Sequence, residues 1–329
     1  MAVIKDKPRQ NQELDLRSVS NPFIRGVALQ IHWSDIEPVQ GKPDWTKLDA
    51  LFAAAESSKK WVQLFIFAGF FAPAWALEGV RTDTFTIPYG PYEGQVQKLP
   101  MPWDRVYLGR WFAFLKELSD RYGKSPTFKI VAATGPTSLS DEYNLPHTPA
   151  ELRQWQSDSY TPSRYLGAWE EVLRVYAADF PNQYVSLSVG NGLTINDQGK
   201  LDPRERLRTK QAVVDQAIGV LGRRFALQLN DVRAGPDDRT PNSEVEDRFV
   251  IGYIGRIITG FQMKTAAEHN SGNMGAEGDP PLALRKSISV AMEPNTAGQH
   301  VNYLQIYEQD VLADEMQPVL QYAVSLFAR

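Results

Sequence analysis

A short apolar run of strand length, followed by a stretch of helical period, recurs from one end of this 329-residue chain to the other. Ile24–Trp33 reads as a strand. Asp44 then offers an N-cap, and Leu48, Leu51, Phe52 and Ala55 form one helical stripe. The same alternation predicts strands at Trp61–Gly69, Thr127–Thr134, Tyr184–Gly190, Phe225–Asp231, Thr259–Thr265 and Val301–Tyr307. Helices are predicted over Tyr107–Tyr122, Arg164–Phe180, from Asp202-Pro203 to about Leu221, Val245–Arg256, Leu282–Met292 and Met316–Phe327. The short Ala2–Lys5 supplies a further strand at the start. Strand–helix alternation implies a parallel sheet, and this many repeats favour a closed α/β (β/α)8 TIM barrel, read as one domain over residues 1–329. A doubly wound open sheet is the alternative, but no Gly-x-Gly-x-x-Gly follows the first strand.

Side-chain parity supports the barrel, because successive residues of a strand face opposite ways. One face of each strand is small or polar: Gly26, Ala28, Gln30 and His32; Ser186, Ser188 and Gly190; Ala226, Gln228 and Asn230; Gln262 and Lys264; Tyr303, Gln305 and Tyr307. Helices would cover the apolar faces. The polar faces would converge inside, and their C-terminal ends would form the site.

Composition removes several classes. A net charge of −4 without a long run of one sign carries no basic nucleic-acid footprint. No apolar run has the length of a membrane span. With no cysteine, disulfide frameworks, thiolate nucleophiles and cysteine metal sites are excluded. The histidines His32, His147, His269 and His300 form no His-x-x-x-His pair, so no metal is expected; no Gly-x-Ser-x-Gly elbow or phosphate cradle is present, and no cofactor is called for. The opening MAVIKDKPRQ has no apolar signal core, which implies a cytoplasmic protein, or a secreted or periplasmic one whose leader has been removed.

Chemistry is sought in the long excursions at strand ends: Phe70–Val106, Gly135–Pro162 and Ala266–Pro281. The strongest runs from Thr134 to Pro146 and carries Asp141 and Glu142. If Ala2–Lys5 is strand one, this segment follows strand four. A carboxylic acid held there in a cleft can have a raised pKa and protonate a leaving oxygen. The competing reading is a pair of solvated loop acids. Of the 8 tryptophans, Trp75 and Trp103 sit in Pro-rich loops, where they serve equally well as sugar platforms or as packing.

The stretch His32-Trp33-Ser-Asp-Ile-Glu37-Pro38-Val-Gln-Gly41, followed by Asp44-Trp45 and Leu48-Asp49, resembles barrel glycosidases of the β-galactosidase and cellulase type. Their second strand often reads Trp-x-x-x-Glu-Pro, then Gly, then Tyr-Asp-Trp or Tyr-Asp-Phe. Gly69-Phe-Phe-Ala-Pro73-Ala-Trp75 looks like the Pro-x-Trp after their third strand. The resemblance covers roughly residues 24–146 and is architectural beyond. It implies that Glu37 is structural and that Glu142 is the acid/base after strand four, with Asp141 where an asparagine is usual. It also implies a nucleophilic glutamate at the end of strand seven, where this chain has the neutral Gln262.

The second carboxylate is therefore open. Glu268 lies just beyond strand seven. Gln305 stands inward on the last strand, as an original glutamate lost or as a plain interior hydrogen-bonder. Glu308 ranks behind both because its parity is outward. The expected function is a glycosidase acting on a β-linked poly- or oligosaccharide, with Glu142, Gln305 and Glu268 as the catalytic positions. His32, Trp33, Trp75, Trp103, Asp141, Asn230, Gln262, Tyr307 and Glu308 are the expected substrate contacts. The rival is a barrel that binds glycan without cleaving it.

Overall fold

The computed structural model describes residues 1–6, 13–88, 92–235 and 248–328. Its strands in chain order are β1 Ala2–Lys5, β2 Gly26–His32, β3 Trp61–Phe67, β4 Thr82–Thr86, β5 Val96–Pro100, β6 Phe128–Ala132, β7 Tyr184–Ser188, β8 Phe225–Val232, β9 Ile258–Met263 and β10 Tyr303–Tyr307. All but β4 and β5 are parallel and close into a barrel in the order β1-β10-β9-β8-β7-β6-β3-β2. The short β1 is the closing strand: Val3 is in register with Ala28 of β2 on one side and Tyr307 of β10 on the other. The chain is thus a (β/α)8 barrel. β4 and β5 form an antiparallel hairpin inside the excursion after β3.

Local chemistry explains where the helices begin. Asp104 caps the Arg105–Tyr122 helix by accepting from the backbone N–H groups of Val106 at 2.9 Å and Tyr107 at 3.0 Å. Thr148 and Glu151 form a reciprocal capping box at Pro149–Ser157. Thr161 and Asp279 cap Pro162–Asp179 and Pro280–Ala291, each with proline in the first turn. One expected helix differs. Residues 245–247 of the predicted Val245–Arg256 lie outside the described residues, and the rest holds a single helical turn over 248–251. The chain then turns through Gly255 at φ +82°, a conformation that ends a right-handed helix.

The inward parity read from the sequence is present in the structure. Glutamine amides cross the barrel interior and satisfy one another. Gln30 Nε2 donates to Gln262 Oε1 at 3.1 Å, and Gln305 Nε2 donates to Gln63 Oε1 at 2.7 Å. Tyr303 Oη donates to Gln228 Oε1 at 2.7 Å. Such groups survive burial only when hydrogen-bonded, and here mutually bonded amides stand in an interior that aliphatic layers fill in other barrels.

Candidate active site

Glu142 reaches the barrel mouth on the segment that leaves β6. The residue pairs in parallel with Ser188, the last residue of β7, on the segment that follows β6. The backbone of Tyr143 then crosses the end of β7 so closely that a Cβ on Gly190 would lie 2.7 Å from the Tyr143 carbonyl carbon. Only glycine admits that crossing. Asn144 is pinned from two sides: its Oδ1 accepts from Asn191 N at 2.7 Å, and its carbonyl accepts from Ser138 Oγ at 2.7 Å. Its Nδ2 donates to Glu142 Oε2 at 3.2 Å, and Ser140 Oγ donates to the same oxygen at 3.3 Å. The carboxyl is therefore held in place, while the residue remains partly open to the mouth.

Two neighbouring acids set its protonation. Burial pushes the Glu142 carboxyl up to about 7, and the charges of Asp141 and then Asp231 push the same way, against the Asn144 and Ser140 hydrogen bonds. Asp141 is 1% exposed. It accepts from Ser188 Oγ, and from Asn230 Nδ2 at 3.1 Å. Burial raises its pKa as well, opposed by those bonds.

Asp231 was not anticipated. Counting alternate residues along β8 turns it away from the interior. In the structure, β8 and β9 are in register at Leu229 with Phe261, then at Val232 with Met263, so β8 carries one extra residue. This bulge brings Asn230 and Asp231 to the mouth together. Asp231 accepts from Lys264 Nζ, and from Arg233 Nη1 at 3.3 Å. The only sequence signal available was the strand-end run Asn230-Asp231.

Asn230, Gln262 and Tyr307 join this group as expected from parity. Gln262 Nε2 donates to Tyr307 Oη at 3.1 Å. Burial raises the Tyr307 pKa, and the charges of Glu142, Asp141 and Asp231 lie near enough to add to it. His32 borders the adjoining cleft of about 320 Å³ with Asp35, Phe71, Tyr92 and Lys98. Its ring stacks on Phe71 at 3.7 Å between centroids, and its Nδ1 lies 3.3 Å from Asp35.

Other candidates stand elsewhere. Gln305 is 0% exposed and lies among Gln63 and Gln228, below the opening. Glu268 is exposed, with its carboxyl beside Glu315; burial and that neighbour raise its pKa. Glu308 accepts from Ser18 Oγ at 2.9 Å. Trp33 does not serve as a sugar platform, because it is 0% exposed. It packs against Trp75, Trp111 and Phe114 at centroid distances of 5.5, 5.0 and 5.6 Å. Its indole N–H donates to Glu37 Oε2 at 3.0 Å, while Gly41 N donates to Glu37 Oε1 at 2.8 Å. Glu37 thus ties the loop after β2, as the resemblance implied. Trp75 donates to the Glu37 carbonyl at 2.9 Å. Trp103 lies 6.2 Å from Trp155 and 6.0 Å from Tyr160, under the Arg164 guanidinium, and Trp155 in turn stacks on Phe85 of the hairpin. Trp75 thus ties its loop to the segment after β2, and Trp103 ties its own to the excursion after β6. Among the described residues, no group of three or more acids and histidines is arranged to hold a metal ion, and no helix is long and apolar enough to cross a membrane.

A closed parallel barrel with a carboxylic acid after its fourth strand defines the class to which solved structures can be compared. The catalytic domain of β-amylase from Paenibacillus polymyxa superposes with a TM-score of 0.58 at 9% identity, over 99% of this chain and 98% of that one. The catalytic domain of the major endoglucanase of Xanthomonas campestris superposes with a TM-score of 0.53 at 12% identity, over 100% and 94%. The β-galactosidase of Halorubrum lacusprofundi gives 0.56 at 11% identity, and this chain spans 58% of its length. The fold is therefore that of the barrels on which glycoside hydrolases are built. No protein-family model matches the sequence, and no match was found among curated proteins.

Proposed function

We propose that this protein is a glycoside hydrolase acting on a β-linked poly- or oligosaccharide, with Glu142 as general acid. The observation that carries the reading is one carboxyl, fixed at the barrel mouth and raised to about 7, beside carboxylates in different surroundings. An acid with that pKa is substantially protonated at neutral pH and can give its proton to a departing glycosidic oxygen. Asp231, ion-paired with Lys264 and Arg233, is the second carboxylate in this scheme. It would attack the anomeric carbon or activate water, and the separation of the pair would set retention or inversion. Asp141, Asn230, Gln262 and Tyr307 would position the sugar, and the cleft beside His32 and Phe71 would take its apolar face. The β-linkage rests on the resemblance of residues 24–146.

The test is reducing-sugar release over a panel of β-linked glycans by the native chain, Glu142→Gln, Asp231→Asn and Gln305→Glu. Activity in the native chain that either of the first two substitutions removes supports the assignment. Activity appearing only in Gln305→Glu would move the second acid to that position. A second reading, glycan binding without cleavage, is favoured by one observation: the inward position near the end of β9 carries the amide Gln262 where the resemblance implies an acid. A chain that retains glycan in a binding assay and releases no sugar from any member of the panel fits that reading.

A further inference from the structure

Lys5 ends β1 at the mouth, in register with Gln30, whose side chain crosses the barrel to Gln262. Register neighbours share a facing, so Lys5 is turned to the opening as well. Its Nζ lies 4.5 Å from the centre of the Tyr307 ring. Tyr307 lies within range of the charges of Glu142, Asp141 and Asp231. The other cations nearby are paired: Lys264 and Arg233 with Asp231, Lys47 with Asp6 at 2.7 Å. The Lys5 ammonium has no hydrogen-bond or carboxylate partner among the described residues. The surrounding walls remove enough water to lower its pKa, although it stays accessible from the opening. Lys98, on β5, lines the adjoining cleft and also lacks an acid partner among the described residues.

The acids of the mouth do not compensate Lys5. None of them is among the charges that act on its ammonium, whose pKa burial alone lowers, and Asp231 is matched by Lys264 and Arg233. A partly desolvated ammonium resting on an aromatic face is stabilised when an anion reaches it. We infer that Lys5 anchors an anionic substituent of the sugar, so that the ligand of this site is an acidic glycan, a uronate-bearing chain in the first instance. The inference rests on the carbohydrate reading above and names the substrate class within it. A neutral glycan would leave the ammonium as it stands, with a cation–π contact as its main compensation.

Binding, not turnover, separates the two claims. Calorimetric titration would use a β-linked glucuronate oligosaccharide, its carboxyl-reduced neutral counterpart and the 6-O-sulfate of that neutral counterpart. Each would be titrated into the native chain, Lys5→Met and Lys5→Arg. Lys5→Met keeps the apolar stem and removes the charge. The expected result is at least about tenfold tighter binding of the uronate than of the neutral sugar, lost in Lys5→Met and largely restored in Lys5→Arg. Preference for the sulfate with the same dependence on Lys5 keeps the anchor and changes the anion. Equal binding of the neutral and charged sugars, or unchanged affinity in Lys5→Met, overturns the anchor and leaves the carbohydrate reading standing. No binding of any of the three overturns the anchor, and the carbohydrate reading falls with it if the wider glycan panel is also silent.

Discussion

Replacing Glu142 by glutamine is expected to make the protein more stable at alkaline pH while removing hydrolysis. The carboxyl titrates near 7 in the folded chain against an ordinary 4.5. Below the lower value, both folded and unfolded chains hold the proton and the group contributes nothing to the balance. Between the two values the unfolded chain ionises first, so folding stability falls as pH rises. Above the upper value the loss is complete. At about 1.36 kcal/mol per pH unit, it amounts to about 3 kcal/mol. Glutamine cannot ionise, and its oxygen can still accept from Asn144 and Ser140. The Glu142→Gln chain should therefore match the native one at pH 4.5 and exceed it by about 2–3 kcal/mol at pH 8.5, read by urea unfolding with tryptophan fluorescence. Asp141, Asp310 and the other shifted acids titrate in both chains and largely cancel in the difference. An advantage of equal size at both pH values, or none at pH 8.5, would refute the account of this site as an acid held protonated by burial and neighbouring charge.

In the native chain, kcat on a β-linked substrate should fall about tenfold per pH unit above about 7, as Glu142 loses its proton; a profile flat to pH 9 removes it as general acid. Gln305→Glu places an acid among Gln63 and Gln228 at a site with 0% exposure, so its thermal midpoint should drop sharply at pH 8 and recover toward pH 5, with no gain in sugar release. Glu37→Ala leaves the N–H groups of Trp33 and Gly41 without their acceptor and should cost about 2–4 kcal/mol in chemical unfolding; a change within error would show that the loop does not depend on this carboxylate. Gly190→Ala meets the Tyr143 backbone at 2.7 Å and should displace Glu142, lowering kcat far more than the about 1–3 kcal/mol of stability it costs. Equal loss of both would mean that the crossing serves only the fold.

Much of the architecture was legible because it rests on local periodicity. Alternation along β2, β7, β9 and β10 separates helix-facing from interior residues without any knowledge of neighbours, and the interior glutamines and Tyr303 lie where that count puts them. The position of Glu142 followed from strand order alone. Asp231 was not legible, because one extra residue in β8 reverses the count just where the strand ends. Nor was the fate of the tryptophans: a strand-end indole such as Trp33 reads the same whether it faces a cleft or, as here, other buried rings. The outer end of Lys5 acquires meaning only when β1 closes the barrel beside Tyr307.

The sequence by itself determined a closed parallel barrel with a polar interior and an acid after its fourth strand, since those follow from periods of two and 3.6 residues and from chain order. The tertiary structure decided which charges share the mouth, which aromatic rings are buried, and that Gln305 lies below the opening. Burial, charge proximity and strand register at a bulge depend on residues far apart in the chain, and no local pattern encodes them.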